Sequence, residues 1–394
     1  YMSDCENTTK NEYDPINTWD DLEISSDLLR GIYGYGFENP SPIQSKAIVP
    51  MIDKRDVIAQ AQSGTGKTGA FSVGSLAITD PTKNTTQVLI LSPTRELSQQ
   101  TCNVINSLSS MYKKNPVKTH LLIGGTSTEK DINILKNDPP HIVVGCPGRV
   151  HDMMKRKHFI TNKLSLVVLD EADEMLSSGF KEQVYNIFQY LPKDTQLGLF
   201  SATLPVELNI LTEKFMRDPV KILVKAEALT LEGIQQFYIA LDDDTDKYHT
   251  LKDLFGILSV SQCIIYCNSV KRVSDLYDAM VSDGFPVCCI HSNMEKEERS
   301  ESFKEFRSGK YRVCIATNVL ARGIDIQQVS MVINFDLPKC DHTYLHRIGR
   351  SGRWGRKGTG INFITKRDIK KLRSLEEYYN TEIRELPETF VNKY

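Results

Sequence analysis

Short apolar runs recur along the chain, each closed by a polar turn and followed by a helix-like stretch. In the first half they lie at 57–59, 88–91, 121–123, 142–144, 166–169 and 197–200. In the second half they lie at 263–266, 287–290, 313–316, 332–335 and 361–364. A strand wetted on one face alternates apolar and polar residues, whereas a continuous apolar run needs cover on both faces. Such runs alternating with helices predict an α/β fold with mostly parallel sheets and helices on both faces. The pattern occurs twice, so the two halves read as two copies of one architecture. The break falls near 225–233, after Asp218-Pro219 and before Ile234. This gives a polar, acidic, disordered tail over 1–17, a first domain over 18–225, a linker over 226–233 and a second domain over 234–394.

Length and composition fit this division. A chain of 394 residues is too long for one ordinary core, and 40% hydrophobic with 25% charged residues is usual for a globular protein. No apolar run reaches the length of a membrane span, and the start resembles neither a secretory signal nor a transit peptide. Nine cysteines include no Cys-x-x-Cys pair, and Cys263, Cys288, Cys289 and Cys314 sit inside apolar runs. They read as small buried hydrophobes in a reducing compartment, cytosol or nucleus, and not as a disulfide or zinc frame. The net charge of −2 does not announce a nucleic-acid binder. One segment does: eleven Lys and Arg against two Asp lie between Lys339 and Arg373. This stripe is either a phosphate-attracting face or a solvated charged surface. The acidic run Asp242-Asp243-Asp244-Thr245-Asp246 reads as a solvated loop.

Ala61-Gln62-Ser63-Gly64-Thr65-Gly66-Lys67-Thr68 follows the first apolar run and precedes a helical stretch. A triphosphate needs many short-reach donors, which backbone N–H groups freed by glycine and a helix N-terminus supply. Lys67 can reach the β- and γ-phosphates, and the Thr68 hydroxyl can ligate Mg²⁺. Ala61 stands where the generic pattern has Gly. The run 166–169 ends in Asp170-Glu171-Ala172-Asp173, which brings acids to the ligand edge of a sheet. Asp170 is placed to hold Mg²⁺ and Glu171 to orient and deprotonate a water. A surface acidic turn is the plainer alternative, which the phosphate loop upstream disfavours.

Asp170-Glu171-Ala172-Asp173 spells the name of a family, and the chain resembles the DEAD-box RNA helicases from about Thr18 to its C-terminus. Within them it is most similar to the branch acting in translation initiation. The resemblance implies two tandem RecA-like P-loop domains, with ATP and RNA as ligands. Phe37-Glu38-Asn39-Pro40-Ser41-Pro42-Ile43-Gln44 resembles the family's adenine-reading segment, with Gln44 on the adenine edge and Phe37 stacked on the ring. Trp19 stands upstream where the family usually has Phe. Pro93-Thr94-Arg95, Gly124-Gly125 and Cys146-Pro147-Gly148-Arg149 resemble RNA-facing loops, with Cys146 in place of the usual Thr. Ser201-Ala202-Thr203 resembles the element coupling hydrolysis to strand separation.

In the second half, His346-Arg347-Ile348-Gly349-Arg350-Ser351-Gly352-Arg353 resembles the arginine-finger segment. By that likeness Arg350 and Arg353 meet the γ-phosphate and His346 links the segment to the first domain. A metal site at Cys340, His342 and His346 lacks further ligands. Thr317 and Asn268-Ser269 are implied RNA contacts, and Gly323 and Asp325 are implied nucleotide contacts at the ribose. Asn318 replaces a usual Asp, and Lys296 a usual Gln. The resemblance implies an RNA-stimulated ATPase that unwinds or remodels single-stranded or duplex RNA locally, with messenger leaders as substrate. It implies a monomer in the cytoplasm, working with a scaffold protein of the cap-binding complex. The alternative is a nuclear, ATP-locked RNA clamp of the exon-junction type.

Overall fold

The computed structural model describes residues 13–61, 64–177, 179–223, 234–257, 262–320, 329–351 and 358–387. Chain contacts divide the molecule into two compact units, Tyr1–Val224 and Lys225–Tyr394. The expected linker 226–233 lies outside the described residues, as do Gln62, Ser63, Gly323, Asp325 and Arg353.

The first unit holds helices α1 (Ser26–Tyr35) and α2 (Pro42–Ile52), then strand β1 (Val57–Gln60) and helix α3 (Lys67–Ile78). β2 (Val88–Leu91), α4 (Arg95–Leu108), β3 (Thr119–Leu122), α5 (Thr128–Asn137), β4 (Ile142–Gly145) and α6 (Pro147–Lys155) follow. β5 (Leu166–Asp170), α7 (Ala172–Ser177), α8 (Lys181–Gln189), β6 (Gln196–Ser201), α9 (Val206–Phe215) and β7 (Val220–Leu223) complete it. The seven strands pair in the order β3-β4-β2-β5-β6-β1-β7, and every pairing is parallel. Successive side chains on a strand point to opposite faces, and the core divides accordingly. Val57, Ala59, Val88, Ile90 and Val168 pack on one face with α2 and α3, whereas Ile58, Leu89, Leu91, Val167 and Leu169 pack on the other with α6 and α8. Ile16 is also buried there, and its N–H donates to Ser45 O at 3.0 Å. The end of the expected tail is therefore packed, because one apolar residue within a polar run finds the core.

The second unit repeats the plan with β8 (Ile234–Ala240), α10 (Asp246–Ile257), β9 (Gln262–Tyr266), α11 (Val270–Ser282), β10 (Val287–Ile290) and α12 (Lys296–Arg307). β11 (Val313–Ala316), β12 (Val329–Asn334), α13 (Asp341–Ile348), β13 (Gly358–Ile364), α14 (Ile369–Tyr379) and β14 (Arg384–Glu385) follow. Its order is β10-β11-β9-β12-β13-β8-β14, which is the first unit's order with every strand number raised by seven. The expected duplication of a parallel α/β architecture is present. Among the described residues each sheet has seven strands, where the apolar runs marked six and five. The unmarked ones include β7 at an edge and β8, whose burial is interrupted, so neither carries a continuous apolar run.

Candidate active site and nucleic-acid edge

The strand order divides the first unit's carboxyl edge in two. β5, β6 and β1 are neighbours and deliver Asp170-Glu171, Ser201-Ala202-Thr203 and the Gly-rich loop. β3, β4 and β2 are neighbours and deliver Gly124-Gly125, Cys146 to Arg149 and Pro93 to Arg95. Residues implied for nucleotide and for RNA thus occupy separate halves of one edge.

In the nucleotide half, Gly64 and Gly66 have φ of 85° and 99°, the left-handed region that favours glycine. Lys67 is 5% exposed; its Nζ donates to Ala61 O at 2.8 Å and lies 3.6 Å from Glu171 Oε1. Glu171, φ 51°, holds a strained backbone for a side chain of its size. Burial first, and the Glu171 charge beside it second, push the Asp170 carboxyl up to about 8, against the pull of Lys67. Ser201 Oγ accepts the Asp173 N–H at 3.3 Å, and Thr203 Oγ1 donates to Asp173 Oδ2 at 2.6 Å. Both expected coupling hydroxyls therefore meet the acidic turn.

Gln44 is buried between the Ser41 N–H, which donates to its Oε1 at 2.8 Å, and Gly66 O, which accepts from its Nε2 at 3.2 Å. Each end of the amide keeps one further hydrogen bond, the pair an adenine edge requires. A Cβ on Gly69 would approach Gln44 Nε2 to 2.4 Å, so α3 reaches this close only because the residue is glycine. Phe37 stacks on the buried Trp19 ring at 5.9 Å and 19°. The Trp in place of Phe keeps an aromatic support.

In the other half, Thr94 caps α4, its hydroxyl accepting the Leu97 N–H at 3.3 Å. A Cβ on Gly124 would come 3.3 Å from Arg95 Nη2, so these two expected RNA contacts adjoin. Pro93 is buried and Gly148 is exposed, with open space where its Cβ would stand. Arg149 is turned inward, toward Asp131 and Thr126.

In the second unit, Ser269 caps α11 as Thr94 caps α4, after the equivalent strand. Thr317 follows β11, the neighbour of β9, so Asn268, Ser269 and Thr317 occupy the same half of this sheet's edge. Arg350 Nε donates to the carbonyl of His346, and both side chains are buried.

The DEAD/DEAH box helicase model matches residues 41–211, and the helicase conserved C-terminal domain model matches residues 246–355. The "ATP-dependent RNA helicase eIF4A" of Chaetomium globosum is 51% identical over 383 residues, covering 97% of this chain and 96% of that protein. The protein of the same name from Coccidioides immitis is 51% identical over 383 residues, covering 97% and 95%. The chain belongs to the DEAD-box helicase family. The structure of S. cerevisiae Dbp5 bound to RNA and ADP BeF3 superposes with a TM-score of 0.88 at 35% identity, covering 96% of this chain and 97% of that one.

This DEAD-box chain also has functional candidates that the motif reading passed over. Arg347 is fully buried, over the Tyr266 ring at 5.1 Å. Its guanidinium donates to Asn318 Oδ1 at 2.9 Å, Asn334 Oδ1 at 3.1 Å, Asp336 O at 2.8 Å and Asn268 Oδ1 at 2.8 Å. It joins the Asn268 and Thr317-Asn318 loops to the helix that precedes Arg350. Burial lowers its pKa to about 10. Asp131, Thr126 and His120 form a second such group. Arg347 lies within the quoted arginine-finger segment, but nothing in the sequence marked it as the tie between loops, and the second group offered only ordinary polar residues near a motif.

The nucleotide half fits a divalent cation. Thr68 and Asp170 offer the hard oxygen donors that Mg²⁺ takes, beside the buried Lys67–Glu171 pair.

Proposed function

We propose that this chain is an ATP-dependent RNA helicase that hydrolyses ATP to unwind or remodel messenger leaders locally during translation initiation. The observation that carries the reading is the divided carboxyl edge, with the Lys67–Glu171 pair at 3.6 Å in one half and the glycine and hydroxyl loops in the other. ATP binds with its adenine on Gln44 and Phe37 and its phosphates on the backbone from Ala61 through Thr68, with Lys67 at the β- and γ-phosphates. Glu171 takes a proton from water as the water oxygen bonds to the γ-phosphorus and the bond to the ADP oxygen breaks. Mg²⁺ held by Thr68 and Asp170 neutralises phosphate charge when bound.

Arg350 and Arg353 stabilise the transition state, and Gly323 and Asp325 meet the nucleotide from the second unit. Those groups lie on a separate unit, so turnover requires both units to close on ATP. RNA held by Pro93, Thr94, Arg95, Gly124, Gly125, Gly148, Asn268, Ser269 and Thr317 favours the same closure. Contacts to phosphate and 2′-hydroxyl give RNA over DNA with weak sequence preference. Ser201, Thr203 and His346 relay hydrolysis to the RNA. We place the protein in the cytoplasm as a monomer that works with a scaffold of the cap-binding complex. The relatives above bear the initiation-factor helicase name, and no specific observation favours the exon-junction clamp.

Glu171→Gln tests the assignment. ATP affinity stays within a few-fold, while RNA-stimulated phosphate release falls by ~10²-fold or more. Turnover at the wild-type rate removes Glu171 from the chemistry.

A further inference from the structure

Arg149 matches a family RNA contact by position, yet its side chain is only 11% exposed. Its Nη1 donates to an Asp131 carboxylate oxygen and lies 3.4 Å from Thr126 Oγ1, and its Nη2 donates to Thr126 O at 3.0 Å. Asp131, on α5, is itself 3% exposed. Its Oδ2 takes Arg149 and lies 3.2 Å from the Thr126 hydroxyl, while its Oδ1 lies 3.0 Å from His120 Nε2 on β3. Three elements thus converge on one buried carboxylate: the edge strand β3, helix α6 through Arg149, and the loop after Gly124-Gly125.

We propose that Asp131 is a positioning residue for RNA, which draws Arg149 away from the ligand and uses it to fix the Gly124-Gly125-Thr126 loop. Both nitrogens at the tip of the guanidinium are engaged inside the protein, so Arg149 is poorly placed to grip a phosphate. A loop with two adjacent glycines, one at φ 84°, has much conformational freedom to lose on binding. Holding it at Thr126 presents its backbone N–H groups, beside Arg95, in a ready geometry. The inference rests on the RNA-binding role proposed above for this edge.

The rival reading, direct phosphate contact by Arg149, gives an opposite sign. Asp131→Asn removes a negative charge near RNA and releases Arg149, so direct contact predicts equal or tighter binding. The clamp predicts binding weaker by about tenfold. Arg149→Lys keeps the charge but not the two-pronged hold; the clamp predicts that it behaves like Arg149→Ala, and direct contact predicts partial rescue. Loss of a phosphate contact makes the salt dependence shallower by about 0.7 in log K against log salt, whereas loss of the clamp leaves it unchanged.

The measurement is anisotropy of a labelled single-stranded RNA titrated with the full chain and a non-hydrolysable ATP analogue over several salt concentrations. RNA-stimulated ATPase runs alongside, and the clamp predicts a raised KM for RNA with kcat at saturating RNA and KM for ATP unchanged. Thermal unfolding identifies a variant that fails to fold, and the Arg149→Lys comparison then decides. Unweakened binding by folded Asp131→Asn, or rescue by Arg149→Lys, overturns the proposal. Absence of RNA binding by the wild type rejects the RNA reading itself.

Discussion

Burial first, and the neighbouring Glu171 charge second, raise the Asp170 carboxyl from 3.8 to about 8, which favours its protonated form. A folded pKa above the unfolded one means that the folded state binds the extra proton between the two values. This group therefore lowers stability as pH rises from about 4 toward 8. A bound cation reverses the preference, since a ligating carboxylate must be ionised. Calorimetry of Mg·ATP binding in buffers of different ionisation enthalpy is expected to show proton release near neutral pH that diminishes as the pH rises past about 8. Asp170→Asn abolishes the release. A release that is independent of pH, or that survives Asp170→Asn, contradicts the assignment of Asp170. Such details escape sequence reading: the acids were legible at a strand end, but their protonation depends on burial that only packing sets.

Among elements, the order β3-β4-β2-β5-β6-β1-β7 explains why motifs scattered along the chain assemble into two groups. The buried central strands were legible because their continuous apolar runs have only one use. Edge strand β7 and half-covered β8 were not, because their burial depends on neighbours remote in sequence. The replacement of a usual Asp by Asn318 was also legible, whereas its partner was not. Arg347 Nε reaches Asn318 Oδ1, and the other three bonds of this buried cation also end on neutral oxygens. A carboxylate at 318 supplies a charge-assisted bond in place of a neutral one. Asn318→Asp is expected to raise the unfolding midpoint of the second unit by about 2–8 °C, and Arg347→Met to cost about 3 kcal/mol. Scanning calorimetry of the full chain checks both, and unchanged midpoints refute the role of this network.

On the scale of the whole molecule, two units share one strand order but not one chemistry. In the first, β1 leads into a phosphate loop; in the second, the equivalent β8 leads into Leu241-Asp242-Asp243-Asp244-Thr245. There Lys247 Nζ lies 3.2 Å from Asp336 Oδ1 and 3.0 Å from Asp244 Oδ1. The protein's own carboxylates satisfy the cation, and acids repel phosphate. The half proposed to carry RNA contacts is built alike in both units, with Thr94 and Ser269 capping equivalent helices. The strand that leads into the Gly-rich loop in the first unit is thus matched in the second by one that leads into acids unsuited to phosphate. The acidic loop read only as solvated surface until the strand orders could be matched.

The most direct test is RNA-stimulated ATP turnover of full-length Arg350→Ala, with ATP affinity measured separately without RNA. Shared catalysis predicts ATP affinity within about twofold of wild type and turnover at saturating RNA lower by roughly 10³-fold or more. Turnover near the wild-type rate would mean that the first unit breaks the γ-phosphate bond without the second unit's arginine, and would contradict the central claim.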